Sequence, residues 1–162
     1  MRDATGIADS GPLISLARIT QLELLPRLFS RVYLPPAVWN EVSVRGQGHP
    51  GADEVSKATW LTIRAPDPQL VKPLGILVDA GEAEAIALAQ TTPDCIILLD
   101  DSRARKIAER LGIKQLGTIG LLLRAKRLGL VAKIRPHINA LIENGIYIRQ
   151  ELIDAVLMDA EE

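Results

Sequence analysis

The sequence predicts an α/β domain built on a largely parallel sheet that is covered on both faces. Short apolar runs alternate with stretches of helical apolar spacing along the chain. The run CIILL at residues 95–99 is apolar at every position, as a buried strand requires. The chain has 162 residues, 48 % of them apolar, which is enough for one domain (1–162) with a substantial core.

The elements follow in order. Residues 6–9 form a first short strand, halted by Ser-Gly-Pro. Pro12 suits the first turn of a helix that carries Leu13, Leu16 and Ala17. A second helix is expected over Gln21–Phe29, and a strand over Arg31–Leu34 stops at Pro35-Pro36. Val38, Trp39 and Val42 give the next helix its apolar face, with Glu41 on a neighbouring one. A loop, GQGHPGA, leads to a short helix over Ala52–Ala58 and a strand over Trp60–Ile63. APDPQLVKP reads as a proline-punctuated connection. DAGEAEAIALAQ is strongly helical and precedes the CIILL strand. A helix then runs from Ser102 to Leu111 and ends at Gly112. Lys114–Leu116 is a short strand, and Gly117-Thr118 opens a helix closed by Gly129. Helices that fill Val131–Asn144 and Arg149–Ala160 complete the chain.

Composition narrows the functional classes. Aromatic residues make up only 3 %, too few for a binder that works by base stacking. Cys95 has no partner for an intramolecular disulfide and reads as a core thiol, which points to a reducing compartment. No apolar run reaches the ~18 residues of a membrane span, and no signal peptide is visible, so the cytoplasm is expected. The net charge is −1, yet ten basic residues lie between Asp101 and Arg135 against two acids. Such a segment attracts polyanions or forms solvated helix faces.

The acids carry the chemistry. Ligands of open α/β sheets bind at the carboxyl ends of strands. Asp9 ends the first strand, and Asp100-Asp101 end CIILL. Glu41 and Glu82 stand on helices that can face the same edge. Clustered carboxylates repel one another unless a cation sits among them. Oxygen-only donors suit Mg²⁺ or Mn²⁺, which activate water and stabilise phosphoryl charge, so phosphodiester hydrolysis is the implied reaction. Each acid also has a structural reading. Asp9 or Ser10 can cap the following helix, Asp79 and Glu82 together spell a capping box, and Glu41 can be a solvated surface residue.

IADSGPLISLARI, PPAVWNEV, GEAEAIALA, IILLDDSRARKIAERLG and GTIGLLLRAKRLGL resemble the PIN-domain family. In particular they resemble a small prokaryotic subfamily of predicted nucleic-acid-binding PIN proteins. The resemblance covers roughly residues 5–160. It implies a three-layer α/β/α fold with a mainly parallel central sheet and a metal-dependent ribonuclease. It also implies kinship with VapC-like toxins, an antitoxin protein as partner and a homodimer. The family's acids fall on Asp9, Glu41, Glu82 and Asp100, with Asp101 chosen instead by a one-residue shift. Ser10 matches the small hydroxyl residue that follows the first acid, and Thr118 is a candidate polar neighbour. Ser10 joins Arg103, Arg105 and Lys106, just past the acidic edge, as the expected nucleic-acid contacts. Two departures stand out. Leu98 lies where many PIN nucleases have Thr or Ser, and Glu replaces the commoner Asp at the third acid.

Other readings are weaker. GQGHPG matches G-x-G-x-x-G but follows a helix and contains Pro50, so it reads as a loop. His49 and His137 lack zinc spacing. Trp39 and Trp60 read as core or interface residues, and the leucines at 121–123 and 128 as core or a dimer face. A phosphoacceptor domain usually carries its acidic pair near the first strand, whereas here the pair comes late. The alternative to a nuclease is a non-catalytic PIN-fold regulator that binds nucleic acid or protein, for which a carboxylate cluster has no use.

Overall fold

The computed structural model describes residues 4–162; the first three residues of the expected domain lie outside the described residues. In chain order the elements are β1 (Thr5–Ala8), α1 (Ser10–Arg18), α2 (Leu24–Leu28), β2 (Arg31–Leu34) and α3 (Pro36–Trp39). Helix α3 runs on as a π-helical segment, Asn40–Val44. Then come α4 (Ala52–Lys57), β3 (Leu61–Ile63), α5 (Pro68–Leu74), α6 (Ala80–Gln90) and β4 (Cys95–Leu98). The chain ends with α7 (Ser102–Arg110), β5 (Gln115–Leu116), α8 (Thr118–Arg127), α9 (Arg135–Glu143) and α10 (Gln150–Asp159).

The five strands are all parallel and lie in the order β3-β2-β1-β4-β5. Successive side chains of a strand point to opposite faces. Val32 and Leu34 therefore join one apolar cluster while Tyr33 joins the other. In β4, Ile96 and Leu98 face the first cluster and Ile97 the second, which Leu99, just past the strand, joins. Helices α1 to α4 with the π-helical segment, and α8, α9 and α10, supply the first cluster; α5, α6 and α7 supply the second. The result is the expected three-layer α/β/α sandwich. It also explains CIILL: a central strand covered on both sides has no polar face.

Three boundaries differ from the sequence reading. APDPQLVKP contains a helix, α5, rather than only a connection. The Asp67 side chain accepts from the Gln69 N–H at 2.9 Å, and Pro68 takes the first helical position. Pro73 falls near the helix end, where it removes one ladder hydrogen bond. The second helix is shorter than expected, Leu24–Leu28, and the ninth begins only at Arg135.

That late start has a visible cause. The Glu162 carboxylate sits at the N-terminus of α9, accepting from the Ile134 N–H at 2.7 Å and the Arg135 N–H at 3.1 Å. Lys126 donates to it at 2.9 Å and also to the Ala160 carbonyl, while the Arg135 guanidinium donates to the Glu162 carbonyl at 2.9 Å. Two members of the basic segment are thus used inside the molecule. Burial works against the Glu162 charge, but these donors outweigh it and hold the pKa at about 2, below the ordinary 4.5. The sign follows: this clasp stabilises the fold above pH 4.5 and is lost as pH falls towards 2. Glu162→Gln should lower the melting temperature at neutral pH by roughly 5 °C. The difference from wild type should shrink at acid pH, as thermal melts across that range will show.

Candidate active site

The strand order reverses direction between β1 and β4, and open α/β sheets bind ligands at that switch point. Asp9 directly follows β1 and Asp100 lies just past β4, so both fall beside it. The Asp9 N–H still donates to the Leu98 carbonyl at 3.1 Å, which fixes the acid to the end of the sheet. Asp9 is only 6 % exposed, although it carries a carboxylate.

Asp100 is exposed and oriented by a single residue. The Thr118 N–H donates to Oδ1 at 2.8 Å, and the Thr118 hydroxyl donates to Oδ2 at 2.6 Å. Thr118 opens α8, so the carboxylate also meets a helix N-terminus. Gly117 makes this approach possible. A Cβ there would lie 3.0 Å from Asp100 Oδ1 and 2.8 Å from Arg105 Nη1.

Glu41 arrives from the other side of β1. It belongs to the π-helical segment, where the Arg45 N–H reaches back five residues to the Asn40 carbonyl at 2.8 Å. Single π turns inside helices are frequent at functional positions. Glu41 and Asp9 converge on Gly81 in the first turn of α6. A Cβ on Gly81 would lie 3.2 Å from Glu41 Oε2 and 3.3 Å from Asp9 Oδ1. The missing side chain leaves a space bordered by two carboxylate oxygens. Asp9 Oδ1 is buried and has no hydrogen-bond partner.

The electrostatics follow from this crowding. Desolvation raises the Asp9 pKa from 3.8 to about 7; the Ser10 N–H opposes the rise, and the charges of Asp79, Glu41 and Asp100 add to it. Glu82 is also buried, and desolvation, then the neighbouring Asp79 and Asp101, lift its pKa to about 8. Glu82 and Asp79 form a reciprocal capping box on α6. Asp79 Oδ1 accepts from the Glu82 N–H at 2.9 Å, and Glu82 Oε1 accepts from the Asp79 N–H at 3.3 Å. Asp101 caps α7 by accepting from the Ala104 N–H at 2.9 Å. Asp79, Glu82, Asp101 and Arg103 line an open cleft of about 550 Å³.

The expected residues therefore fall into two groups. Asp9 and Glu41 meet at Gly81, with Asp100 and Asp79 in the field of Asp9. Glu82 and Asp101 stand in a second group around Asp79, each already engaged as a helix cap. Among the described residues no three His, Cys, Asp or Glu side chains stand close enough to share one ion as placed. Ser10 is half-buried, and its N–H faces Asp9. Arg103 and Lys106 are exposed, whereas Arg105 is half-buried and donates to the Leu99 carbonyl at 3.0 Å. Sequence reasoning treated Asp79 only as a cap and passed over Gly81. The signal for both was an acid at the N-cap and a glycine in the first turn of a helix that starts beside the switch point.

No described helix is long and apolar enough to cross a membrane. No curated protein matches the chain. The family model DUF3368, a PIN domain, matches residues 5–162. With nearly its whole length matched, and with its parallel sheet and acids at the switch point, the chain belongs to the PIN-domain family.

Proposed function

We propose that the protein is a metal-dependent ribonuclease that hydrolyses phosphodiester bonds at the edge formed by Asp9, Glu41 and Asp100. The PIN domain is a nuclease-type fold. One observation carries the reading beyond that. Asp9 is buried, its Oδ1 is unpaired, and it faces Glu41 across the space left by Gly81. A buried carboxylate beside like charges is unfavourable unless a proton or a cation compensates it, and the raised pKa of Asp9 shows how strongly this one calls for either.

The residues fit a small hard cation. Every donor at the site is oxygen, which suits Mg²⁺ or Mn²⁺. Mg²⁺ keeps several waters and often takes only one or two protein carboxylates, so Asp9 and Glu41 suffice to hold it. When bound, the ion supplies a more acidic water and stabilises charge on the phosphoryl group. The chain's own side chains do the rest. Asp100, fixed by Thr118, sets a third charge beside the site. Arg103 and Lys106 are exposed beyond it and hold the phosphate backbone by contacts that weaken with salt. Arg105 braces the turn between β4 and α7 through Leu99. Glu82 and Asp101 shape the adjoining cleft. A toxin role with an antitoxin partner, a cytoplasmic setting and homodimerisation belong to the same proposal and rest on the family resemblance.

Purified protein is incubated with single-stranded and structured RNA in Mg²⁺ or Mn²⁺, and again with chelator. Cleavage that needs the metal supports a nuclease. Absence of cleavage, with the fold intact and RNA bound, favours the non-catalytic binder. Thr118→Val keeps the N–H to Asp100 and loses the hydroxyl; it should slow cleavage about 10-fold with little change in KM. Steady-state kinetics on a cleaved RNA check this, and an unchanged kcat would remove Asp100 orientation from the mechanism.

A further inference from the structure

The sheet face towards α6 is left open at its β2–β3 edge. Side chains alternate along a strand, so Arg31 and Tyr33 share that face of β2. Tyr33 belongs to the apolar cluster beneath α6. Its partner in β3 is Thr62, and Arg64, two residues on, returns to the same face. The Arg64 guanidinium carbon lies 4.3 Å from the centre of the Tyr33 ring, a cation–π contact that holds the arginine in place. One buried ring is thus flanked by two arginines. Beside them opens a cavity of about 640 Å³, closed on its far side by Leu88, Thr91 and Thr92 at the end of α6. That size lies within the range of small-molecule sites.

The hydrogen-bonding groups of the wall divide in a telling way. The one ion pair among the described residues joins Lys126 and Glu162, so neither Arg31 nor Arg64 has a carboxylate partner there. Their guanidinium N–H groups are donors only. The hydroxyls of Thr91 and Thr92 both donate to the Leu88 carbonyl, at 3.3 and 2.7 Å, and that of Ser30 donates to the Ala4 carbonyl at 3.2 Å. Their protons are committed, so these oxygens offer acceptor lone pairs to the cavity. Asp94 adds another acceptor. A ligand that satisfies this wall carries an anion for the two arginines and hydroxyl donors for the acceptor oxygens.

We propose that this cavity binds a ribonucleotide, with its phosphate between Arg31 and Arg64 and its ribose hydroxyls donating to the threonine side. The site is separate from the acidic edge. Thr5, Arg31 and Asp94 mark the starting ends of their strands, whereas Asp9 and Asp100 lie beyond the finishing ends; Arg64 follows the finishing end of β3, and its side chain lies over Tyr33 in the strand beside it. A four-residue strand separates the two levels by about 13 Å. The same chemistry is presented by a free mononucleotide and by the phosphorylated end of an RNA chain.

Calorimetric titration of the whole chain, in chelator so that the acidic edge holds no metal, tests the site. The probes are inorganic phosphate, adenosine 5′-monophosphate, and short RNAs with a 5′-phosphate or a 5′-hydroxyl. The nucleotide should bind saturably and more tightly than inorganic phosphate. Arg31→Gln and Arg64→Gln should each weaken it about 10-fold, a loss of one charge-assisted contact. Lys133→Gln, at an exposed position outside the cavity lining, should leave it unchanged. Both arginines are exposed, so either variant alone carries the test. RNA that binds better with a 5′-phosphate identifies the chain end as the source; RNA indifferent to its end, with the mononucleotide still bound, identifies the free nucleotide. No saturable nucleotide binding, equal binding of phosphate and nucleotide, or equal weakening by Lys133→Gln would overturn the proposal. None of these outcomes depends on whether the acidic edge cleaves RNA.

Discussion

Asp9→Asn should abolish metal-dependent RNA cleavage and, in the metal-free protein at pH 8, make the fold more stable. The loss of activity should be at least about 100-fold, because a direct ion contact matters more than the outer-shell contacts whose loss costs 10–100-fold. The gain in stability follows from linkage. The folded protein holds the Asp9 proton up to about pH 7, whereas an unperturbed aspartate releases it near 3.8. Between those values the folded state binds more protons than the unfolded state, so stability falls as pH rises. Above them the ionised, buried carboxylate is a standing penalty on the order of 2–4 kcal/mol. Glu82, raised to about 8, extends the same slope upward. Asparagine carries no charge, and its amide can donate towards Glu41 where the carboxylate repelled it. Denaturant melts of both proteins from acid to alkaline pH, without metal, check the prediction. Equal stability at pH 8 would show that the carboxylate is not penalised.

Gly81→Val should separate metal binding from folding. The Cβ alone would sit 3.2 Å from Glu41 Oε2 and 3.3 Å from Asp9 Oδ1, and the Val38 methyl stands 3.3 Å away on the third side. Two further methyl groups fill the space between the carboxylates and drive at least one of them aside. The variant should therefore lose cleavage and any stabilisation by Mn²⁺. Gly81→Ala, with one carbon, should retain part of both. Glycine in a helix is unfavourable by about 1 kcal/mol relative to alanine, which offsets some of the crowding in the smaller variant. Thermal melts with and without Mn²⁺ read the two effects apart. Full Mn²⁺ stabilisation in Gly81→Val would place the ion elsewhere.

The sheet was legible because each strand is a short run bounded by turn residues or prolines, and CIILL is apolar throughout. The positions of Asp9 and Asp100 followed from the same rule, since strand ends are where the acids stand. Other features needed three dimensions. The prolines of APDPQLVKP hid α5, because a capping Asp67 and a proline in the first turn support a helix that proline content alone argues against. The π turn that carries Glu41 has no compositional signature. Asp100 and Asp101 were indistinguishable in sequence, and their hydrogen bonds separate them: Thr118, eighteen residues on, takes Asp100, while the adjacent α7 takes Asp101. The basic segment looked free because Glu162, which engages Lys126 and Arg135, lies far along the chain.

Calorimetric titration of Mn²⁺ into wild type, Asp9→Asn and Glu41→Gln at pH 8 asks, without any choice of RNA, whether Asp9 and Glu41 hold the ion. Saturable binding by wild type, lost in Asp9→Asn and weakened in Glu41→Gln, is the result predicted by two carboxylates facing each other across Gly81. Equal binding by all three proteins, or none by wild type, would contradict it.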